Sequence, residues 1–213
     1  MSMLRPIHRL QAIALPLLRD NIDTDELIPV WENTRLNTVG WGDGLFAAQR
    51  YLDGVAHTPD PRFILNQAPF DRAAILIGGA NFGSGSSRES AVWALRDYGF
   101  QVVIAISFNE TFLRNCIVNG LAPLQVSRTD AEQLVAAVQL APADGVLVDL
   151  RERVLRQGAW PSERAVTFLL DEFYCDLLTT GRTENDLLSQ FQTDIDARRK
   201  TLVAVAPWLL SSR

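Results

Sequence analysis

Cysteine and histidine are scarce: two of each in 213 residues. Cys116 and Cys175 form no Cys-x-x-Cys pair, so the chain by itself lacks the ligands for a Cys-held iron–sulfur cluster or a Cys-rich zinc site. Both read as buried thiols in a reducing compartment. His8 and His57 lie far apart in loop or strand-edge surroundings, which argues against a two-histidine metal site or a Ser–His pair. Long apolar runs are missing too. The most apolar early stretch, Ile13 to Leu18, is broken by Pro16 and followed by Arg19 and Asp20, making neither a membrane span nor a signal core. A cytoplasmic protein with no membrane partner is expected. Positive charge is also short, with 20 Lys and Arg against 25 Asp and Glu, a net charge of −5. Gripping nucleic-acid phosphates needs a clustered basic face. The one dense basic run, Arg198-Arg199-Lys200, falls in a helical-looking segment, where cations near a helix end complement its dipole.

What remains is an ordinary globular composition, 47% apolar and 21% charged, which excludes disorder. The length favours one domain over residues 1–213, with a helical C-terminal tail from about 186. No internal repeat or low-complexity linker divides it. Residues 7–17 alternate like a strand, 22–28 read as a short strand or turn, and 30–62 form a long Gly-, Asn- and Pro-punctuated stretch with a helix around 44–51. After residue 70 the pattern turns regular. Strands at 73–77, 102–106 and 121–126 alternate with helices at 87–98, 109–118 and 130–140, implying parallel strands with crossover helices. Strands near 146–150, 153–156 and 165–170 and a helix at 171–180 complete an α/β core.

One loop carries the chemistry. Gly78 to Gly85 holds four glycines, where a strand hands over to a helix opened by Ser87. Glycines let the backbone approach a ligand, and the first-turn amides together with the helix dipole favour an anion. Arg88 adds a planar fork suited to a carboxylate. A cation at a helix N-terminus opposes the dipole unless a nearby acid such as Glu89 or a bound anion compensates. A local rule broken in this way marks a functional site, the bland alternative being that Ser86 and Ser87 only cap the helix. Nucleotide readings fail. Gly78 to Gly83 has Walker-like spacing, but Ser84 stands where lysine belongs, and Arg88 replaces the third glycine of a dinucleotide loop. No serine here has glycines two residues to either side, so a nucleophile elbow is absent. A small anionic substrate is the reading left.

Asn81-Phe82-Gly83-Ser84-Gly85-Ser86-Ser87-Arg88-Glu89, followed by Ala91, Trp93-Ala94-Leu95 and Asp97-Tyr98-Gly99-Phe100, resembles the small subunits of bacterial isopropylmalate dehydratases. Asn21-Ile22-Asp23-Thr24-Asp25 with Ile28-Pro29, then Gly44-Leu45-Phe46, Phe63 to Asn66, Val102 to Ala105, Ser107-Phe108, Asn115, Gly120-Leu121 and Asp171, follow in matching order. The resemblance covers roughly residues 7–200. It implies a swivelling β/β/α three-layer domain, homologous to the mobile domain of aconitase, that closes over a large partner subunit bearing a [4Fe–4S] cluster. It also implies a hydro-lyase isomerising 2-isopropylmalate to 3-isopropylmalate by dehydration and rehydration, a step of leucine biosynthesis. By the same resemblance Ser86 is the catalytic base, Ser87 and Arg88 hold a substrate carboxylate, and Asp25 is an active-site aspartate. This chemistry needs a Lewis acid for the leaving hydroxyl and a base for a weakly acidic C–H. A serine serves only if its alkoxide is stabilised, and helix N-terminal amides with a guanidinium are suited to that.

The chain departs from the family pattern at named positions. Ser84 stands where cysteine is common, and Ser90 where a histidine usually follows Ser-Arg-Glu. In the segment from Val30 to Gly40, which the resemblance assigns to reading the substrate's side group, Glu32 and Asn33 replace apolar residues. Thr38 takes the place of a common arginine, with Arg35 near enough to substitute. Trp31, Leu36, Val39 and Trp41 can line an apolar pocket or simply pack on the core. Two alternatives therefore stand beside the isopropylmalate reading: a related hydro-lyase acting on a citramalate- or dimethylmalate-type diacid, and a non-catalytic anion-binding module.

Overall fold

The computed structural model describes residues 4–34, 40–53, 57–86, 88–161, 164–205 and 208. Two four-stranded sheets form its frame. Strands β2 (Ala14–Pro16), β3 (Ile75–Ile77), β4 (Val102–Ala105) and β5 (Ala122–Gln125) lie in that order in a parallel sheet. Strands β1 (Arg9–Ala12), β6 (Val146–Asp149), β7 (Val154–Gln157) and β8 (Val166–Thr167) make an antiparallel one. The two sheets share one continuous run of chain. Residues 7–17, expected as a single strand, divide at Ile13: β1 pairs with β6 and β2 with β3. The Ile13 carbonyl accepts from the Ala74 and Ile75 amides at the hinge, so the break leaves no orphaned acceptor.

The central strands are apolar on both faces because both are covered, as parallel sheets require. Ile75, Ile77, Val102, Ile104, Ala122 and Leu124 face a core shared with the antiparallel sheet and with helices α5 (Arg128–Leu140) and α6 (Glu172–Thr180). Leu76, Val103 and Ala105 face the opposite way. There they meet α1 (Thr24–Leu27), α3 (Glu89–Tyr98) and α4 (Glu110–Val118), with Trp41, Leu45 and Phe46 just ahead of the short α2 (Ala47–Arg50). The result is the expected β/β/α sandwich. Full burial of a Leu or Phe stabilises by about 1.5–3 kcal/mol. Four phenylalanines are fully buried, Phe46, Phe82, Phe100 and Phe112, all on the helical side where the glycine loop lies.

Two short elements differ from expectation. Residues 22–28 hold a one-turn helix, because Asp23 caps it by accepting from the Glu26 amide at 2.7 Å. The helix expected around 44–51 is present but shorter, as α2, after a 3-10 turn, Trp41–Gly44. The tail is helical as expected, in two pieces, α7 (Glu184–Gln190) and α8 (Gln192–Val205). Both cysteines are buried free thiols, and desolvation pushes both up in pKa, Cys116 furthest.

Candidate functional site

The glycine loop leaves the carboxyl end of β3, the edge where open α/β sheets bind ligands. It is stitched on both sides. Toward the α1 segment, the Asn21 amide donates to Ala80 O at 2.8 Å, the Gly83 amide to Ile22 O at 2.8 Å, and the Thr24 amide to Ser84 O at 2.9 Å. Toward the loop after β4, the Phe82 amide donates to Ser107 O and the Asn109 amide to Phe82 O, both at 2.9 Å. Asn21 and Asn81 both adopt left-handed φ, 59° and 55°, a region asparagine tolerates, and their side chains bond each other at 2.9 Å. Gly83 is held at φ 75° against Phe112, with 2.1 Å left for any Cβ.

Asp20 ties down the loop's origin. Its carboxylate accepts from the Ala80 amide at 2.7 Å and from Arg128 at 2.8 Å. The backbone hydrogen bond, then the guanidinium, hold this carboxyl below its usual range.

Three of the expected site residues come together. Thr24, buried at the start of α1, donates its hydroxyl to Ser86 O at 2.8 Å, and the Arg88 amide donates to the same carbonyl at 2.7 Å. The Ser86 backbone is therefore fixed while the residue itself is exposed. Arg88 Nη1 is ion-paired with Asp25 Oδ1. Asp25 is half exposed and Arg88 about a quarter exposed, so the pair sits at a surface mouth. The helix begins two residues later than expected: Arg88 is its N-cap, with no side-chain cap hydrogen bond, rather than a first-turn residue behind a serine cap. The compensating acid also differs from the Glu89 expected. Glu89 accepts from Asn119 Nδ2 at 2.8 Å, whose Oδ1 takes the Trp93 indole N–H at 3.1 Å, leaving Asp25 to neutralise Arg88. Ser87, Arg35 and Thr38 lie outside the described residues. Ser90 is buried in the first turn of α3.

Among the described residues no group of three or more His, Cys, Asp and Glu is arranged to hold a metal ion, and the two thiols sit in separate cores. The donor set does not fit an iron–sulfur cluster.

Residues 5–129 match the aconitase C-terminal domain family. The 3-isopropylmalate dehydratase small subunit of Cupriavidus necator is 38% identical over 207 residues, covering 97% of this chain and 98% of that protein. The small subunit of Agrobacterium fabrum is 37% identical over 201 residues, 94% of this chain and 97% of its own. The chain belongs to the 3-isopropylmalate dehydratase small-subunit family. Its fold matches the crystal structure of the 3-isopropylmalate dehydratase of Methanocaldococcus jannaschii at a TM-score of 0.61 and 24% identity, over 90% of this chain and 99% of that one. The motifs at 21–25 and 81–89, distant along the chain, meet through the hydrogen bonds of the glycine loop. Sequence reasoning missed Thr24, Asp20 and Asn119 as its supports. Thr24 lay inside a motif already singled out, whereas Asp20 and Asn119 carried no local signal.

No helix among the described residues is long and apolar enough to cross a membrane.

Proposed function

We propose that this chain is the small subunit of a cytoplasmic 3-isopropylmalate dehydratase, acting as one domain that closes over a large subunit. The observation that carries the reading is the junction of exposed Ser86, the Arg88–Asp25 pair and an α3 N-terminus without a side-chain cap. That junction offers a guanidinium and free amides to a carboxylate, and a hydroxyl beside them to the adjacent C–H. A [4Fe–4S] cluster on the partner supplies the Lewis acid for the leaving hydroxyl. Ser86 takes the proton from carbon and later returns it. Its alkoxide is stabilised by the Arg88 charge and the helix amides, and closure of the partner excludes water. Ser87, Arg35 and Thr38 complete the proposed substrate contacts on sequence pattern alone.

A second reading keeps the chemistry and changes the side group to that of a citramalate- or dimethylmalate-type diacid. It is favoured by Glu32, a buried carboxylate in the segment that follows α1. Reconstitution with the large subunit decides, by following absorbance of the unsaturated intermediate over a panel of hydroxy-diacids. Preferred turnover of 2-isopropylmalate supports the first reading and of a methylated malate the second. Turnover of none, with anion binding retained, leaves the non-catalytic module.

A further inference from the structure

Glu32 is 6% exposed, on the 3-10 turn Val30–Thr34. Its Oε1 lies 2.8 Å from His57 Nε2. A carboxylate only accepts, so the ring nitrogen donates, whether the imidazole is neutral or charged. His57 is itself costly to place: its φ of 52° is left-handed, a conformation that asks of the order of 1–3 kcal/mol from a non-glycine residue. Its ring stacks on Tyr51, 4.3 Å between centroids and 2° from parallel. Tyr51 is in turn fixed by its hydroxyl on Asp43 O at 2.8 Å and by the Arg50 guanidinium over its ring. Glu32 also fills the space beside Gly44, where an added Cβ would meet its Oε2 at 3.0 Å. Two unfavourable placements, a buried carboxylate and a left-handed histidine, thus converge on one contact.

What that contact holds is clear from burial along the chain. Leu27, Ile28 and Pro29 are buried, Val30 and Trp31 are 60% and 54% exposed, and Glu32 is buried again. Two apolar side chains are therefore held outward between a core anchor and the Glu32–His57 anchor, on the segment that follows α1. The other exposed large apolar residues, such as Leu52, Leu140, Leu169 and Phe191, belong to segments separate from this one. We propose that Glu32 and His57 are positioning residues: their contact is a clasp that fixes the Val30–Trp31 edge of the segment after α1, and thereby sets how well a substrate's apolar side group is received. This rests on the function proposed above.

The test uses the full chain, alone and assembled with its large subunit. His57→Ala should lower the preference for 2-isopropylmalate over a hydroxy-diacid with a methyl side group by about tenfold, through KM, with kcat on the smaller substrate unchanged. His57→Gln, which keeps an N–H donor, should restore most of the preference, and Glu32→Ala, which removes the acceptor, should resemble His57→Ala. On the isolated chain, amide exchange at residues 30–34 should accelerate by about tenfold in His57→Ala while β3 and β4 stay protected. A proportional loss on both substrates, an unchanged preference, or unaltered exchange at 30–34 would each overturn the clasp. If the assembled wild type turns over neither substrate, the functional reading fails instead, and the exchange measurement still decides whether the contact holds the turn.

Discussion

Ser86 and Arg88 are two residues apart and differ in what their removal should do. The Ser86 carbonyl is held by the Thr24 hydroxyl and the Arg88 amide, so the loop's path does not depend on the Ser86 side chain. Ser86→Ala is accordingly expected to leave the thermal midpoint and subunit association unchanged while kcat falls by about 10²–10⁴-fold, the usual worth of a positioned base. Retained turnover would assign the base elsewhere. Arg88→Lys keeps the charge but loses the planar fork that one carboxylate, that of Asp25, already engages. A rise in KM of about tenfold with a smaller change in kcat is expected, and steady-state kinetics on the reconstituted enzyme that show an unmoved KM would remove Arg88 from carboxylate binding.

At the scale of elements, the sequence was most legible where periodicity is long and local, and least where a partner distant in sequence decides. The strand–helix alternation from β3 to α5 could be read from apolar spacing, and Gly99 marks the end of α3 as its cap, at φ 125°. The division of residues 7–17 at Ile13 could not, because alternating Arg9–Ala12 running into apolar Ala14–Pro16 also fits one strand entering a core, and only their pairing, with β6 and with β3, separates them. The one-turn α1 was hidden for a different reason: four residues show no helical period, and its cap, Asp23, is equally a turn residue. The glycine loop was visible as a strand-to-helix connection, but the identity of Arg88's counter-charge was not, since it comes from 63 positions away. Its rigidity is testable at Gly83. An alanine there meets Phe112 at 2.1 Å and a left-handed φ at once, so Gly83→Ala should destabilise by about 2–4 kcal/mol, seen as a lower midpoint in denaturant. A neutral result would mean that the loop yields. Acid should act on the same loop through Asp20. A carboxyl lowered in the native state contributes stability that is present above its unfolded value near 3.8 and is lost as pH falls through the lower native value. Asp20→Asn should therefore flatten the acid limb of the stability curve in that window and leave its shape near neutrality alone.

Over the whole molecule, burial is concentrated in two cores on either face of one sheet, and α8 adds to neither. The two cores draw on residues up to Leu178, with Leu187 of α7 packed partly against one of them. No described side chain of α8 takes part, and Phe191, Ile195, Val205 and Trp208 are exposed. α7 is closed at its start by a capping box between Thr183 and Asp186 and meets the body through Leu187 and the Glu184–Arg114 pair at 3.9 Å. Stability should accordingly be insensitive to the residues beyond α7. A chain ended after Gln190 is expected to keep its thermal midpoint to within about 2 °C, because a helix that buries no core surface adds little to the free energy of unfolding. Ile77→Ala, which opens a cavity in the core between the sheets, should by contrast cost about 2–5 kcal/mol. If truncation lowers the midpoint as much as Ile77→Ala does, α8 packs on the body after all. If it leaves the midpoint alone but weakens association with the large subunit, the exposed face of α8 has been spent on the partner rather than on the fold.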